Sequence, residues 1–81
     1  MTVRIEFLGM QRSITKTSAI DMPISEKTIV ADVLEYVRCR YPDLPLDEKM
    51  ILMIVNQGMT SPDTILKRND TISFLPAIGG G

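Results

Sequence analysis

Val3, Ile5 and Phe7 alternate with Arg4 and Glu6, a period of two that predicts a half-buried β-strand. Leu8 departs from the alternation because it falls on the polar side, and Gly9 ends the strand. From Met10 to Thr15 no period holds, and Gln11-Arg12-Ser13 reads as a turn or short loop. Thr17 to Met22 predicts a second strand, paired with the first as a hairpin. Pro23 limits its far end, since proline cannot donate to a ladder. Ser25 to Thr28 reads as a turn into a helix. Val30, Leu34, Val37 and Tyr41 then recur at helical spacing, with Val33 widening the stripe. They predict an amphipathic helix from about Ile29 to Tyr41. Thr28 is its expected N-cap, Asp32 suits the positive end of the helix, and Pro42 stops it. Asp32, Glu35 and Arg38 fall on the outer, solvated side.

Asp43 to Lys49, with Pro45 inside it, is expected to be a loop. Met50 to Val55 is an unbroken apolar run. It is too short for a helix and predicts a central strand covered on both faces. Asn56-Gln57-Gly58 is a turn, Met59-Thr60 a short edge strand, and Ser61-Pro62-Asp63 a second turn. Ile65 and Leu66 are expected to pack on the core. Lys67 to Asp70 turns again, with Asn69 able to take a positive φ. In the last strand, Thr71 to Leu75, Ile72 and Phe74 face one way and Thr71, Ser73 and Leu75 the other. Leu75, like Leu8, is thus an apolar side chain on a polar face. The order is strand, strand, helix, strand, minor strand, strand. It predicts an α+β fold, the ubiquitin-like β-grasp, with a mixed sheet of four to five strands and one main helix.

Composition narrows the chemistry more than it alters the fold. Eighty-one residues make one domain, 1–81, burying only about 60% of its unfolded surface, with 76–81 expected to form a flexible tail. A net charge of −1, no basic run and four aromatic residues argue against nucleic-acid binding. The N-terminal residues carry charges where a signal peptide has its apolar core, and no apolar run approaches the ~20 residues of a membrane span. Cys39 is the single cysteine, so no intrachain disulfide is available. A cytoplasmic location is the expectation. Histidine is absent, which removes His-based metal sites, the usual nucleophilic triads and the commonest general base.

One stretch remains as equipment for chemistry: Phe74-Leu75-Pro76-Ala77-Ile78-Gly79-Gly80-Gly81. Glycines without a Cβ can lie close against another surface, and the five residues from Ala77 reach roughly 17 Å when extended. A terminal carboxylate becomes an electrophile once adenylated, and the mixed anhydride can be attacked by a sulfur donor. A glycine at that point adds the least steric bulk. The plainer reading is a frayed end or a linker remnant.

The sequence resembles the small subunit of molybdopterin synthase, within the MoaD/ThiS group of ubiquitin-like sulfur carriers. The resemblance spans essentially the whole chain. It is strongest at Val55-Asn56-Gln57, Asp70-Thr71-Ile72, and Phe74-Leu75-Pro76 closing on Gly80-Gly81. It is weaker at the first strand with Arg12 after it, at Val30-Ala31-Asp32-Val33-Leu34 and at Tyr41-Pro42. It implies a carrier and not an enzyme. Gly81, preceded by Gly80, would be the residue adenylated and then thiocarboxylated. The chain itself would bind no cofactor, and ATP and Mg²⁺ would be used by the activating partner. The implied partners are an adenylyltransferase related to ubiquitin-activating enzymes (MoeB/ThiF-like), a sulfur donor, and the large subunit of molybdopterin synthase (MoaE-like). Neither nucleic acid nor membrane is implied. Leu8 and Leu75 are expected to form one apolar patch on the exposed sheet face, with Met59 nearby; in the family these positions look like contacts to those partners, and Pro76, Ala77, Ile78 and Gly79 would thread the tail into their sites.

Ala77 stands where the family usually has a second proline, and Gly79 adds a third glycine of the kind seen in thiamine-pathway carriers. Four readings follow: a molybdopterin (or tungsten-cofactor) sulfur carrier, a thiamine-type carrier, a ubiquitin-like modifier conjugated through Gly81, and a passive β-grasp domain with an inert tail. Cys39, between Arg38 and Arg40, can be read as a relay thiol or, more plainly, as an ordinary helix cysteine. Of the six methionines, Met50 and Met53 read as core and Met59 as a contact.

Overall fold

The computed structural model describes residues 1–44, 46 and 51–76, with Pro76 described by its backbone alone. Its elements are β1 (Thr2–Glu6), α1 (Met10–Thr15), β2 (Ala19–Pro23), α2 (Val30–Arg40), β3 (Ile51–Val55), β4 (Gly58–Met59) and β5 (Thr71–Pro76). The strands form one mixed sheet in the order β2-β1-β5-β3-β4. β1 and β2 make the expected hairpin, with Thr2 opposite Pro23 and Glu6 opposite Ala19. β5 lies in the middle, parallel to β1 and antiparallel to β3.

The alternation in β1 does what its period demands. Val3, Ile5 and Phe7 are buried, as are Ile72 and Phe74 of β5, and the helix stripe Val30, Val33, Leu34 and Val37 closes over them. Tyr41, half-buried at the end of α2, meets Phe7 edge-on at 5.5 Å between ring centroids, a favoured aromatic geometry. Leu44, Leu46 and Leu66 complete the core. Among the described residues no helix is long and apolar enough to cross a membrane.

Four expectations are corrected. The stretch Met10–Thr15 is a six-residue helix, not a turn or loop. Gly9, at φ 53° and ψ −127°, makes the bend into it, and Lys16 leaves it in the left-handed region. Its anchors are tertiary: Ile14 is packed against the core and the Arg12 Nε–H donates to the Phe7 carbonyl at 3.0 Å. Six residues span less than two turns, so no periodicity announces it.

Thr28 is not the N-cap of α2. Its hydroxyl accepts the Ser25 N–H at 2.9 Å, and Ile29 occupies the cap position. The helix N–H groups that a capping side chain would satisfy go elsewhere. Val30 donates to the Thr64 carbonyl and Ala31 to that of Pro62, both at 3.0 Å. Asp32 Oδ2 accepts the Ile29 N–H at 2.9 Å.

Among the described residues, β3 is covered on one face only. Met53 is buried, Ile54 half-buried and Leu52 43% exposed; Met50 lies outside the described residues. Finally, Leu66 is core but Ile65 is 57% exposed, held by a single bridge to Ile29.

The turns follow their residue types. Asn56 and Gln57, both with positive φ, form the two-residue connection between Val55 and Gly58, as the twist of a tight hairpin requires. Asn69 also takes a positive φ, 67°.

Candidate functional site

The site is built from β5, because that strand leads to the glycines. It has a neighbour on each side through most of its length. β1 pairs as far as Glu6 opposite Ser73, and β3 continues to Leu75 and Pro76, opposite Leu52 and Ile51. Where β1 stops, Gln11 of α1 takes its place. Its Oε1 accepts the Leu8 N–H at 3.0 Å and its Nε2 donates to the Phe74 carbonyl at 2.9 Å. At the other end of β5, Asn56 accepts the Thr71 N–H at 3.0 Å and donates to Asp70 Oδ1 at 2.8 Å.

Cross-strand partners share a face, and residues two apart along a strand do too. Leu75 lies opposite Leu52, and Ile54 lies opposite both Ser73 and Met59. The face turned away from α2 therefore carries a continuous apolar step, Leu75 to Leu52 to Ile54 to Met59. Leu52 and Met59 are exposed, Met59 to 76%; Ile54 and Leu75 are half-buried. A shallow depression of about 410 Å³, lined by Glu6, Ile54, Asn56, Gln57, Thr71 and Ser73, adjoins it. Leu52 and Ile54 were not among the contacts expected from sequence. An unbroken apolar run carries no mark of which side lacks a cover.

Met59 and Leu75 thus join one surface through β3. Leu8 is half-buried beyond the end of β1. Its backbone is separated from the β5 ladder by the Gln11 amide, and it lines a cleft of about 260 Å³ with Gly9, Met10, Gln11, Ile14, Leu44 and Ile51. Pro76 is placed by its pairing with Ile51. Ala77, Ile78, Gly79, Gly80 and Gly81 lie outside the described residues.

Cys39 is exposed and free. Its flanking arginines are engaged elsewhere: Arg38 with the Leu46 carbonyl at 2.7 and 3.0 Å, and Arg40 over the Tyr36 ring at 5.4 Å. Among the described residues no cluster of acidic, cysteine or histidine side chains could hold a metal ion.

A mixed sheet crossed by one main helix, with its C-terminal strand at the centre, defines a ubiquitin-like β-grasp protein. Residues 5–81 match the sequence model of the ThiS family, and the chain belongs to that family. A protein assigned as molybdopterin converting factor, subunit 1, from Pyrococcus furiosus superposes with a TM-score of 0.82 at 20% identity, over 95% of this chain and 98% of its own. The small archaeal modifier protein 1 of Methanosarcina acetivorans gives 0.78 at 26% identity, over 99% and 96%. A chain of the Amycolatopsis orientalis BexX/CysO complex gives 0.70 at 21% identity, over 98% and 99%. No curated protein matches the sequence.

Proposed function

We propose that this chain is a sulfur carrier whose working group is the carboxylate of Gly81, and that it serves molybdopterin formation as the small, non-catalytic subunit of a synthase. The observation that carries the reading is the match to the ThiS family over residues 5–81, with the Gly80-Gly81 pair following a central strand that is paired through Pro76. The carboxylate oxygen of Gly81 attacks the α-phosphorus of ATP on an activating enzyme, and pyrophosphate leaves. Sulfide then attacks the acyl carbon and AMP leaves, so that one sulfur replaces one oxygen. The thiocarboxylate sulfur passes to a pterin precursor in the larger subunit, which supplies the catalytic side chains. Leu52, Ile54, Met59 and Leu75 provide the apolar surface on which those partners dock, and residues 77–79 carry the terminus into their sites. Phe74-Leu75-Pro76 and the likeness to the Pyrococcus furiosus protein favour the molybdopterin route. Gly79 and the family itself point toward the thiamine route.

A second reading, conjugation to target lysines through Gly81, is favoured by the likeness to a small archaeal modifier protein. Intact-mass spectrometry after incubation with ATP, Mg²⁺, an adenylating enzyme and sulfide tests the carrier reading. The expected product ends at Gly81 with one oxygen exchanged for sulfur. An unchanged mass, with a partner shown to bind, rejects it. A ladder of higher-mass conjugates on a lysate blot supports the modifier reading.

A further inference from the structure

We infer that Gln11 is a positioning residue for the reactive terminus, acting through β5; this rests on the carrier reading above. The parallel ladder shows why. The Arg4 N–H donates to the Asp70 carbonyl at 2.9 Å. Such rungs repeat every two residues on each strand, so counting forward four residues on both strands sets the Leu8 N–H against the Phe74 carbonyl. That rung is replaced. The Leu8 N–H goes to Gln11 Oε1 at 3.0 Å and Gln11 Nε2 goes to the Phe74 carbonyl at 2.9 Å.

A side-chain amide carries the same donor and acceptor pair as a peptide group, so Gln11 sits in the ladder as an inserted rung one amide wide. The insertion lets β1 turn away into α1 while β5 runs on. Leu75 and Pro76 then have β3 alone beside them, and Pro76 has no N–H to give. Among the described residues, the Gln11 bond is the last hydrogen bond that holds β5 on its β1 side. Together with the β3 pairing at Leu75 and Pro76 it sets the direction in which the strand leaves the sheet, at the opposite end of the strand from the Asn56 contact. The segment that carries the terminus starts there, so its origin and heading relative to the docking surface are set at this point. The docking surface, formed by β3, β4 and the outward face of β5, does not involve Gln11.

The chemistry at position 11 is demanding. Glutamate keeps an acceptor for the Leu8 N–H but turns a carboxylate toward the Phe74 carbonyl, where a donor is required. Methionine keeps the length and loses both groups.

The test is steady-state adenylation of the full chain by an ATP-dependent adenylating enzyme of the ubiquitin-activating class, read as pyrophosphate release, for the unaltered chain, Gln11→Glu, Gln11→Met and Met59→Ser. Each is assayed at a temperature where its amide spectrum shows it folded, and hydrogen exchange at Leu75 is followed in the same samples. The Gln11 variants are expected to lose kcat by about tenfold to a hundredfold, the range that a small misplacement of a reacting group produces, with KM close to that of the unaltered chain and faster exchange at Leu75. Met59→Ser is expected to raise KM with kcat retained. Gln11 variants with unaltered kcat overturn the proposal, as does a loss of kcat that only follows the folded fraction. If the unaltered chain itself is not adenylated by an enzyme that binds it, the carrier reading fails first and this inference falls with it.

Discussion

Asn56 closes the β3–β4 hairpin with a φ of 50° and ties it to the start of β5 through its side chain. Replacing it with alanine removes both side-chain bonds and leaves a residue that tolerates positive φ less well. The expected loss is about 1–3 kcal/mol of unfolding free energy in urea. Phe74 is a different case. It is fully buried between sheet and helix, and Phe74→Ala is expected to cost about 3–5 kcal/mol, which a domain of this size with a typical stability of about 5–15 kcal/mol survives narrowly at best. Thermal and urea melts of the two variants should rank them in that order. Residue type makes some of these roles readable in advance. The positive φ of Asn69 follows from what asparagine tolerates, and the burial of Phe74 follows from alternation. Gln11 gives no such signal. A glutamine in an aperiodic stretch looks like surface, and its role depends on a strand sixty-three residues away.

At the scale of elements, α1 hinges on Gly9. Its φ of 53° with ψ of −127° belongs to a region open essentially to glycine, and a Cβ there would meet nothing within 4 Å, so the strain lies in the backbone alone. Gly9→Ala is expected to cost about 1–3 kcal/mol, with α1 and the Gln11 contact loosening before the sheet does; hydrogen exchange along 10–15 would show the order. The elements with a clear period, β1, α2 and β5, are legible from sequence to within about two residues. The failures have physical causes. α1 is too short to show a period. The cap of α2 is supplied by carbonyls of residues 62 and 64, which no local pattern reveals. The apolar run of β3 is compatible with two covered faces or with one covered face and one left for a partner, and only the packing of α2 against one side of the sheet distinguishes them. Of the side chains expected as contacts, Met59 and Leu75 fall on the apolar step and Leu8 lines the cleft beside α1 instead, while Leu52 and Ile54, which join the first two, were hidden inside that ambiguous run.

For the whole molecule, the uncovered face separates folding from recognition. Met59→Ser should change unfolding free energy within about 0.5 kcal/mol, because its side chain is 76% exposed, and Leu52→Ser, at 43% exposure, somewhat more. If the face docks partners as proposed, each should weaken association with an adenylating enzyme by about 1–3 kcal/mol, the range of an interface anchor, measurable by calorimetry. Removing Gly80 and Gly81 should leave that binding and the melting temperature nearly unchanged while abolishing sulfur transfer.

The strand order has one more consequence. A chain displaying an oily sheet is at risk of polymerising by adding strand to strand, yet among the described residues both margins of this sheet are poor templates. One is β4, only two residues long. The other, β2, ends at Pro23 and turns Asp21 to solvent. Short strands, prolines and charges of this kind are how natural sheets resist edge-to-edge aggregation. These margins lower the risk of strand-to-strand polymerisation that a bare apolar face carries, and the surface the sheet offers a partner is its broad side and not its edge.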